Sequence, residues 1–342
     1  MTAAGAFQHQ SPAHVAGFGD RLASRIAARG SQLVLGLDPD PAGLWPRAIE
    51  LAGLIARSGV GSPLPGSPLA GGPRARSSSV SPATQAARAV AAHCEMAIDA
   101  VAEHCVAVKP QVACFERLGA PGWAALAEVV ERARERGLLV LADGKRGDID
   151  ISAVAYAQAF FGETETPFGR VNGLGVDALT VNPLLGVDSL APLVECARAR
   201  ASGVFVLVRT SNPGASDVQD LRLGDGGSVS DRLAAIVAEL GVPGTGKAGL
   251  ADVGAVVGAT APHLLQTLRE EMPHAVFLLP GVGAQGARVE DLRPAFAPGP
   301  GAGLVAVSRG IVNAHQRTGG VPAVAAEREA ARLRALVWRL AS

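Results

Sequence analysis

Eight short runs along the chain are apolar at nearly every position: 32–37, 106–108, 138–142, 178–181, 204–208, 253–257, 275–279 and 303–307. A strand with one wet face alternates apolar and polar residues, whereas a strand covered on both faces does not. These runs therefore predict the strands of a parallel sheet buried on both sides. Amphipathic stretches such as 123–136, 189–200 and 230–240 lie between them, each long enough for a crossover helix. Eight strands alternating with helices predict an α/β fold, the (β/α)8 TIM barrel. An open doubly wound sheet would ordinarily carry a Gly-rich dinucleotide turn after its first strand, and Gly36-Leu37-Asp38-Pro39-Asp40-Pro41 is not one.

Three segments fall outside this pattern. Residues 1–14 are polar and mixed, and are expected to form a flexible arm before a helix at about 15–29. The single barrel domain then spans 15–342. Residues 57–83 are rich in Ser, Pro and Gly with no apolar period, which predicts a disordered insertion after the first strand. Residues 241–249 (GVPGTGKAG) resemble half of a phosphate loop, but Lys247 is followed by Ala248 where Ser or Thr is required, so a flexible insertion is expected there.

Composition narrows the partners. The 342 residues are 48% hydrophobic and carry 31 basic and 31 acidic side chains, leaving no electrostatic footprint for nucleic acid or an anionic membrane. The apolar runs are strand-length, far short of the roughly 20 residues a membrane helix needs. Gly and Pro make up about 19% of the chain, between the globular norm of roughly 12% and the level that signals wholesale disorder. Cys94, Cys105, Cys114 and Cys196 form no CxxC pair, and the first residues lack a basic region followed by an apolar one, so a cytoplasmic location is expected.

In a barrel of this kind the chemistry sits where the strands end and the βα loops converge. The first apolar run leads into Asp38, the second into Lys109, and the third into Asp143, Lys145 and Asp148. The fifth leads into Thr210-Ser211-Asn212, the seventh into Pro280 and Gln285, and the eighth into Ser308-Arg309. Asp143 and Lys145 are two residues apart, so at a strand end both point into the barrel mouth as an ion pair. A lysine held among carboxylates is a positioned cation or acid rather than a Schiff-base amine. Gly281, Gly283 and Gly286 permit close backbone approach, Gln285 can donate an amide hydrogen bond, and Arg309 supplies a fork suited to phosphate, in the place where barrels often hold one.

These residues resemble the orotidine 5'-phosphate decarboxylases, and within them the longer bacterial branch (type 2). The family's DxKxxD(I) element matches Asp143, Lys145, Asp148 and Ile149, its early aspartate matches Gly36-Leu37-Asp38-Pro39, and its second-strand lysine matches Val108-Lys109-Pro110-Gln111. Val181-Asn182-Pro183-Leu184-Leu185-Gly186, Thr210-Ser211-Asn212-Pro213-Gly214 and Leu279 to Gly286 carry the branch's other strand-end signatures. Ser308 stands where many relatives have Gly and Ser152 where others have Thr; neither removes a required group.

The resemblance implies decarboxylation of orotidine 5'-monophosphate (OMP) to UMP and CO2 in pyrimidine biosynthesis, with no metal and no organic cofactor. It makes Lys145 the proton donor, Asp143 and Asp148 its holders, and Lys109 the second cation. It implies that Asp38 and Lys109 bind ribose, Ser211 the pyrimidine, and Gln285 and Arg309 the phosphate, with Pro280 lining the pocket. It further implies a homodimer in which Asp148, Ile149 and Ser152 act across the interface. Two rival readings remain. A metal-dependent sugar-phosphate aldolase or decarboxylase shares the DxKxxD element but needs an acidic ligand where Lys109 stands. A non-catalytic phosphate-binding barrel would tolerate loss of the charged tetrad, which this chain retains.

Overall fold

In the computed structural model, which describes residues 16–58, 80–224 and 226–342, the strands are β1 (Leu33–Leu37), β2 (Ala107–Pro110), β3 (Leu139–Arg146), β4 (Glu163–Thr166), β5 (Gly169–Asn172), β6 (Ala178–Val181), β7 (Gly203–Arg209), β8 (Val253–Val257), β9 (Phe277–Pro280) and β10 (Gly303–Val307). Eight of them close into an all-parallel barrel in the order β1-β10-β9-β8-β7-β6-β3-β2, so the predicted (β/α)8 architecture is the one observed.

Strand periodicity divides the apolar residues between two cores. Leu33, Leu35 and Leu37 of β1 join the larger cluster under the surrounding helices, while Val34 faces inward with Phe205, Val256, Leu278 and Leu304. Helix Phe18–Arg29 closes the N-terminal mouth of the barrel: Phe18 is buried edge-on to Phe205, with ring centroids 6.0 Å apart. Burial of such a ring contributes about 1.5–3 kcal/mol. Helix Pro82–Val101 starts from Ser81, whose hydroxyl accepts the Thr84 N–H at 3.2 Å, with Pro82 in the first turn where its missing N–H costs nothing. It packs against the terminal helix Pro322–Ala341.

The arm expected at 1–14 lies outside the described residues, as do residues 59–79 of the insertion expected at 57–83; helix Pro46–Ser58 leads into that stretch. Two expectations need correction. Residues 241–249 are not a loose insertion: the segment turns through Val242–Gly244 and docks on the first helix, where the Ala248 N–H donates to Asp20 Oδ1 at 2.7 Å. A Cβ on Gly246 would lie 2.5 Å from that carboxylate, so glycine is what lets the chain approach. The second is the β4–β5 antiparallel hairpin after helix Asp150–Phe160, which the hydrophobic pattern did not reveal. Its strands are polar and mostly exposed, and carry neither an apolar run nor alternation.

Candidate active site

The rim chemistry centres on Asp143. Strand β3 outruns its apolar stretch to Arg146, and its pairing with β6 is irregular between Ala142 and Arg146. Lys145 sits in that irregularity with φ +46, a left-handed conformation uncommon outside glycine. The Asp143 carboxylate is buried and receives four donors. Lys109 Nζ lies 2.5 Å from Oδ2 and Gln111 Nε2 3.2 Å from it; Lys145 Nζ lies 2.5 Å from Oδ1 and the Thr180 hydroxyl 2.9 Å from it. Thr180 Oγ1 also accepts the backbone N–H of Lys145 at 3.0 Å, so one strand-six hydroxyl holds both ends of the Asp-x-Lys step.

Burial by itself favours the neutral carboxyl of Asp143, but the ammonium groups of Lys109 and Lys145 outweigh it and hold the acid well below the usual carboxylate range. For Lys109 burial works against the charge, and Asp143, followed by Asp38, overcomes it and raises the lysine above its ordinary value. The network is thus fully ionised at neutral pH between these two groups. Lys109 is sunk in the barrel wall, while the Lys145 side chain is 45% exposed and opens to the mouth, where an incoming ligand can meet it.

A cavity of about 100 Å3 opens above the network. Asp38, Lys109, Pro280, Gln285 and Arg309 all line it, so five of the residues singled out from the sequence converge there. The approach of the eighth strand end depends on Gly36: a Cβ there would come 2.7 Å from that of Ser308. Arg309 opens a short helix, Arg309–Val312, and its side chain makes no ion pair or hydrogen bond among the described residues, leaving its guanidinium free for an anion. Ser211 reaches the same rim, since its Cβ is 3.3 Å from where a Gly281 Cβ would stand, and its carbonyl accepts the Thr260 hydroxyl at 3.1 Å.

Three sequence candidates join neither the Asp143 network nor this rim within the chain. Asp148 accepts only its neighbour's backbone, the Ile149 N–H at 2.8 Å, and does not touch Lys145. Ile149 and Ser152 are exposed at the start of helix Asp150–Phe160. Two other residues contribute that sequence reasoning passed over. Gln111 enters the sequence pattern only as part of a motif, and the signal for Thr180 is a lone hydroxyl inside the apolar run 178–181. Among the described residues, no group of three His, Cys, Asp or Glu side chains is arranged to hold a metal ion.

A closed (β/α)8 barrel that gathers a Lys-Asp-Lys network and an unpaired arginine at its C-terminal rim defines a barrel enzyme working with fixed charges. Residues 31–321 match the model of the orotidine 5'-phosphate decarboxylase / HUMPS family, and the chain belongs to that family. It is 48% identical over 227 residues to the orotidine 5'-phosphate decarboxylase of Rhodopirellula baltica, covering 66% of this chain and 72% of that one. It is 40% identical over 297 residues to the enzyme of that name from Haloarcula marismortui, 86% of each chain. The solved structure of Leishmania donovani OMP decarboxylase superposes with a TM-score of 0.63 at 30% identity, covering 94% of this chain and 98% of that one.

Proposed function

We propose that the chain converts OMP to UMP and CO2, with Lys145 as proton donor. The observation that carries this reading is the buried carboxylate of Asp143, held between the ammonium groups of Lys109 and Lys145 at the barrel mouth. Loss of CO2 from an sp2 ring carbon leaves an electron pair that the ring delocalises poorly. A preorganised cation beside that carbon stabilises the developing charge without reorganising at the moment of reaction. The C–C bond breaks, its electron pair stays on the ring carbon, and a Lys145 Nζ proton moves onto that carbon. Water returns the proton to the amine.

The remaining assignments follow the chemistry of each side chain. Arg309 and Gln285 take the phosphate, Asp38 and Lys109 the ribose hydroxyls, and Ser211 the pyrimidine edge, with Pro280 as an apolar wall. The phosphate is remote from the reacting carbon, so its binding energy serves to orient the ring and to close the loop after β9. Needing no metal or organic cofactor, the reaction runs on the chain's own charges.

A homodimer in which Asp148, Ile149 and Ser152 act across the interface completes the site. Its support is the helix Asp150–Phe160, which is apolar on nearly all sides yet leaves Ile151 85% exposed and Val154 half-exposed, and which packs against helix Val187–Ala199, itself preceded by the exposed Leu184 and Leu185. A cytoplasmic location suits the four free cysteines. One assay tests the function: release of CO2 and formation of UMP from OMP in the presence of a chelator. Turnover that persists supports the proposal. Turnover lost on chelation favours the metal-dependent lyase, and binding of UMP with no turnover favours the non-catalytic barrel.

A further inference from the structure

We propose that Arg146 is a positioning residue for Lys145, an inference that rests on the function proposed above. A non-glycine residue in the left-handed region persists only where its surroundings hold it there, and Lys145 is such a residue. On its C-terminal side the next residue, Arg146, anchors the backbone. The Arg146 backbone pairs with Val181 of β6, and its carbonyl accepts the Asn182 N–H at 2.7 Å.

The Arg146 side chain then draws three elements onto the same point. Its guanidinium pairs with Glu116, the last residue of helix Val112–Glu116, which begins directly after the Lys109-Pro110-Gln111 strand end. One nitrogen donates to the carbonyl of Gly144, the residue between Asp143 and Lys145, at 3.2 Å. The guanidinium carbon lies 5.4 Å from the ring centroid of Tyr156 and 5.7 Å from that of Phe160, both on the helix that follows Asp148 and Ile149. The side chain is 18% exposed, so these contacts are sheltered from screening. Glu116 thus fixes the second-strand loop, the Gly144 carbonyl fixes the turn into Lys145, and the rings fix the helix that starts beside Asp148.

Lysine could reach Glu116, but its single nitrogen could not at the same time donate to the Gly144 carbonyl and keep a broad planar cation within about 6 Å of both ring centroids. Arg146 touches neither the cavity nor a substrate, and acts by setting where the Lys145 ammonium stands relative to Asp143.

Arg146→Ala, Arg146→Lys and Glu116→Gln test this. In Arg146→Ala, kcat falls by roughly 10- to 100-fold, as expected for a displaced reacting group, while KM and the affinity for UMP measured by calorimetry stay within about threefold. Added guanidinium ion restores part of that kcat, Arg146→Lys recovers less than half of the loss, and Glu116→Gln shows a smaller fall of the same kind. A crystal structure of Arg146→Ala shows Lys145 Nζ withdrawn from Asp143. Unchanged kcat, or a rise in KM with kcat intact, overturns the proposal. Should Arg146→Ala not fold, Glu116→Gln and Arg146→Lys decide by the same split. Failure of the wild-type chain to release CO2 counts against the proposed function alone. The positioning role is then read from the Lys145–Asp143 distance in the variant, and an unchanged distance overturns it.

Discussion

Thr180 donates its hydroxyl hydrogen to Asp143 Oδ1 at 2.9 Å from a strand that carries none of the charged motif residues. Through the same oxygen it accepts the Lys145 N–H, so removing the hydroxyl loosens both charged partners at once. Thr180→Val keeps the shape and removes the oxygen. It is expected to lower kcat by about tenfold and stability by about 1–3 kcal/mol, the cost of leaving a buried polar group unpartnered. Steady-state kinetics and urea unfolding measure the two effects, and an unchanged kcat would show that the hydroxyl is not needed to aim the network.

The position of Asp148, turned onto the Ile149 N–H rather than onto Lys145, leads to a complementation experiment. Lys145→Ala and Asp148→Asn chains are each expected to be inactive as homodimers while still binding UMP. Unfolded together and refolded as a mixture, they should regain about one quarter of wild-type activity, because half of randomly formed dimers are mixed and each holds one intact site. If Asp148 serves Lys145 within its own chain, every site retains a lesion and no activity returns.

The ionisation of the network sets a pH window for stability. Asp143 has its folded pKa depressed, so its contribution is present above the unfolded value of about 3.9 and is lost as pH falls through the lower folded value. Lys109 has its folded pKa raised, so its contribution is present below about 10.4 and is lost as pH rises through the higher folded value. Unfolding free energy measured by urea titration should therefore owe nothing to these two groups in its slope between about pH 5 and 9. Asp143→Asn should flatten the acid limb. An acid limb identical in wild type and variant would contradict the pairing.

What could be read from the chain follows from where physics leaves a one-dimensional trace. The barrel strands were legible because burial on both faces removes polar residues from 33–37 or 253–257 altogether. Asp38, Lys109 and Asp143 stood out because each interrupts or ends such a run. The β4–β5 hairpin left no trace, since its polar strands are specified by backbone pairing and a turn at Gly169 with φ +114 rather than by burial. Thr180 and Arg146 were passed over for a different reason: each acts through a partner 30 or more positions away, Asp143 and Glu116 respectively, and a single sequence does not display that pairing.

Arg269 was equally silent in the sequence, and it carries a stability prediction. It is buried with no acidic partner among the described residues, and burial pushes its guanidinium down to about 9. Its nitrogens donate to the carbonyls of Met272, Ala275, Ala295 and Ala302 at 2.7–3.0 Å, and its carbon lies 3.6 Å from the Phe277 ring centroid. Arg269→Met keeps the stem but strands those carbonyls, at an expected cost of about 2–4 kcal/mol with kcat unchanged in the folded fraction. Thermal and urea unfolding check the first part, and a loss of stability under about 0.5 kcal/mol would mean that water replaces the guanidinium.

The Arg309 side chain has no partner among the described residues and lines the cavity beside Gln285, so its guanidinium is available to the phosphate that the proposed function assigns to it. A charge-assisted contact to phosphate is worth about 1.5–3 kcal/mol, so Arg309→Ala should lower kcat/KM for OMP by roughly 10- to 100-fold. The unphosphorylated nucleoside orotidine makes no such contact. Its much lower kcat/KM should be the same in wild type and variant, which separates loss of phosphate recognition from damage to the Asp143 network. Equal losses on both substrates would move the phosphate away from Arg309 and leave the arginine a structural role at the start of its helix.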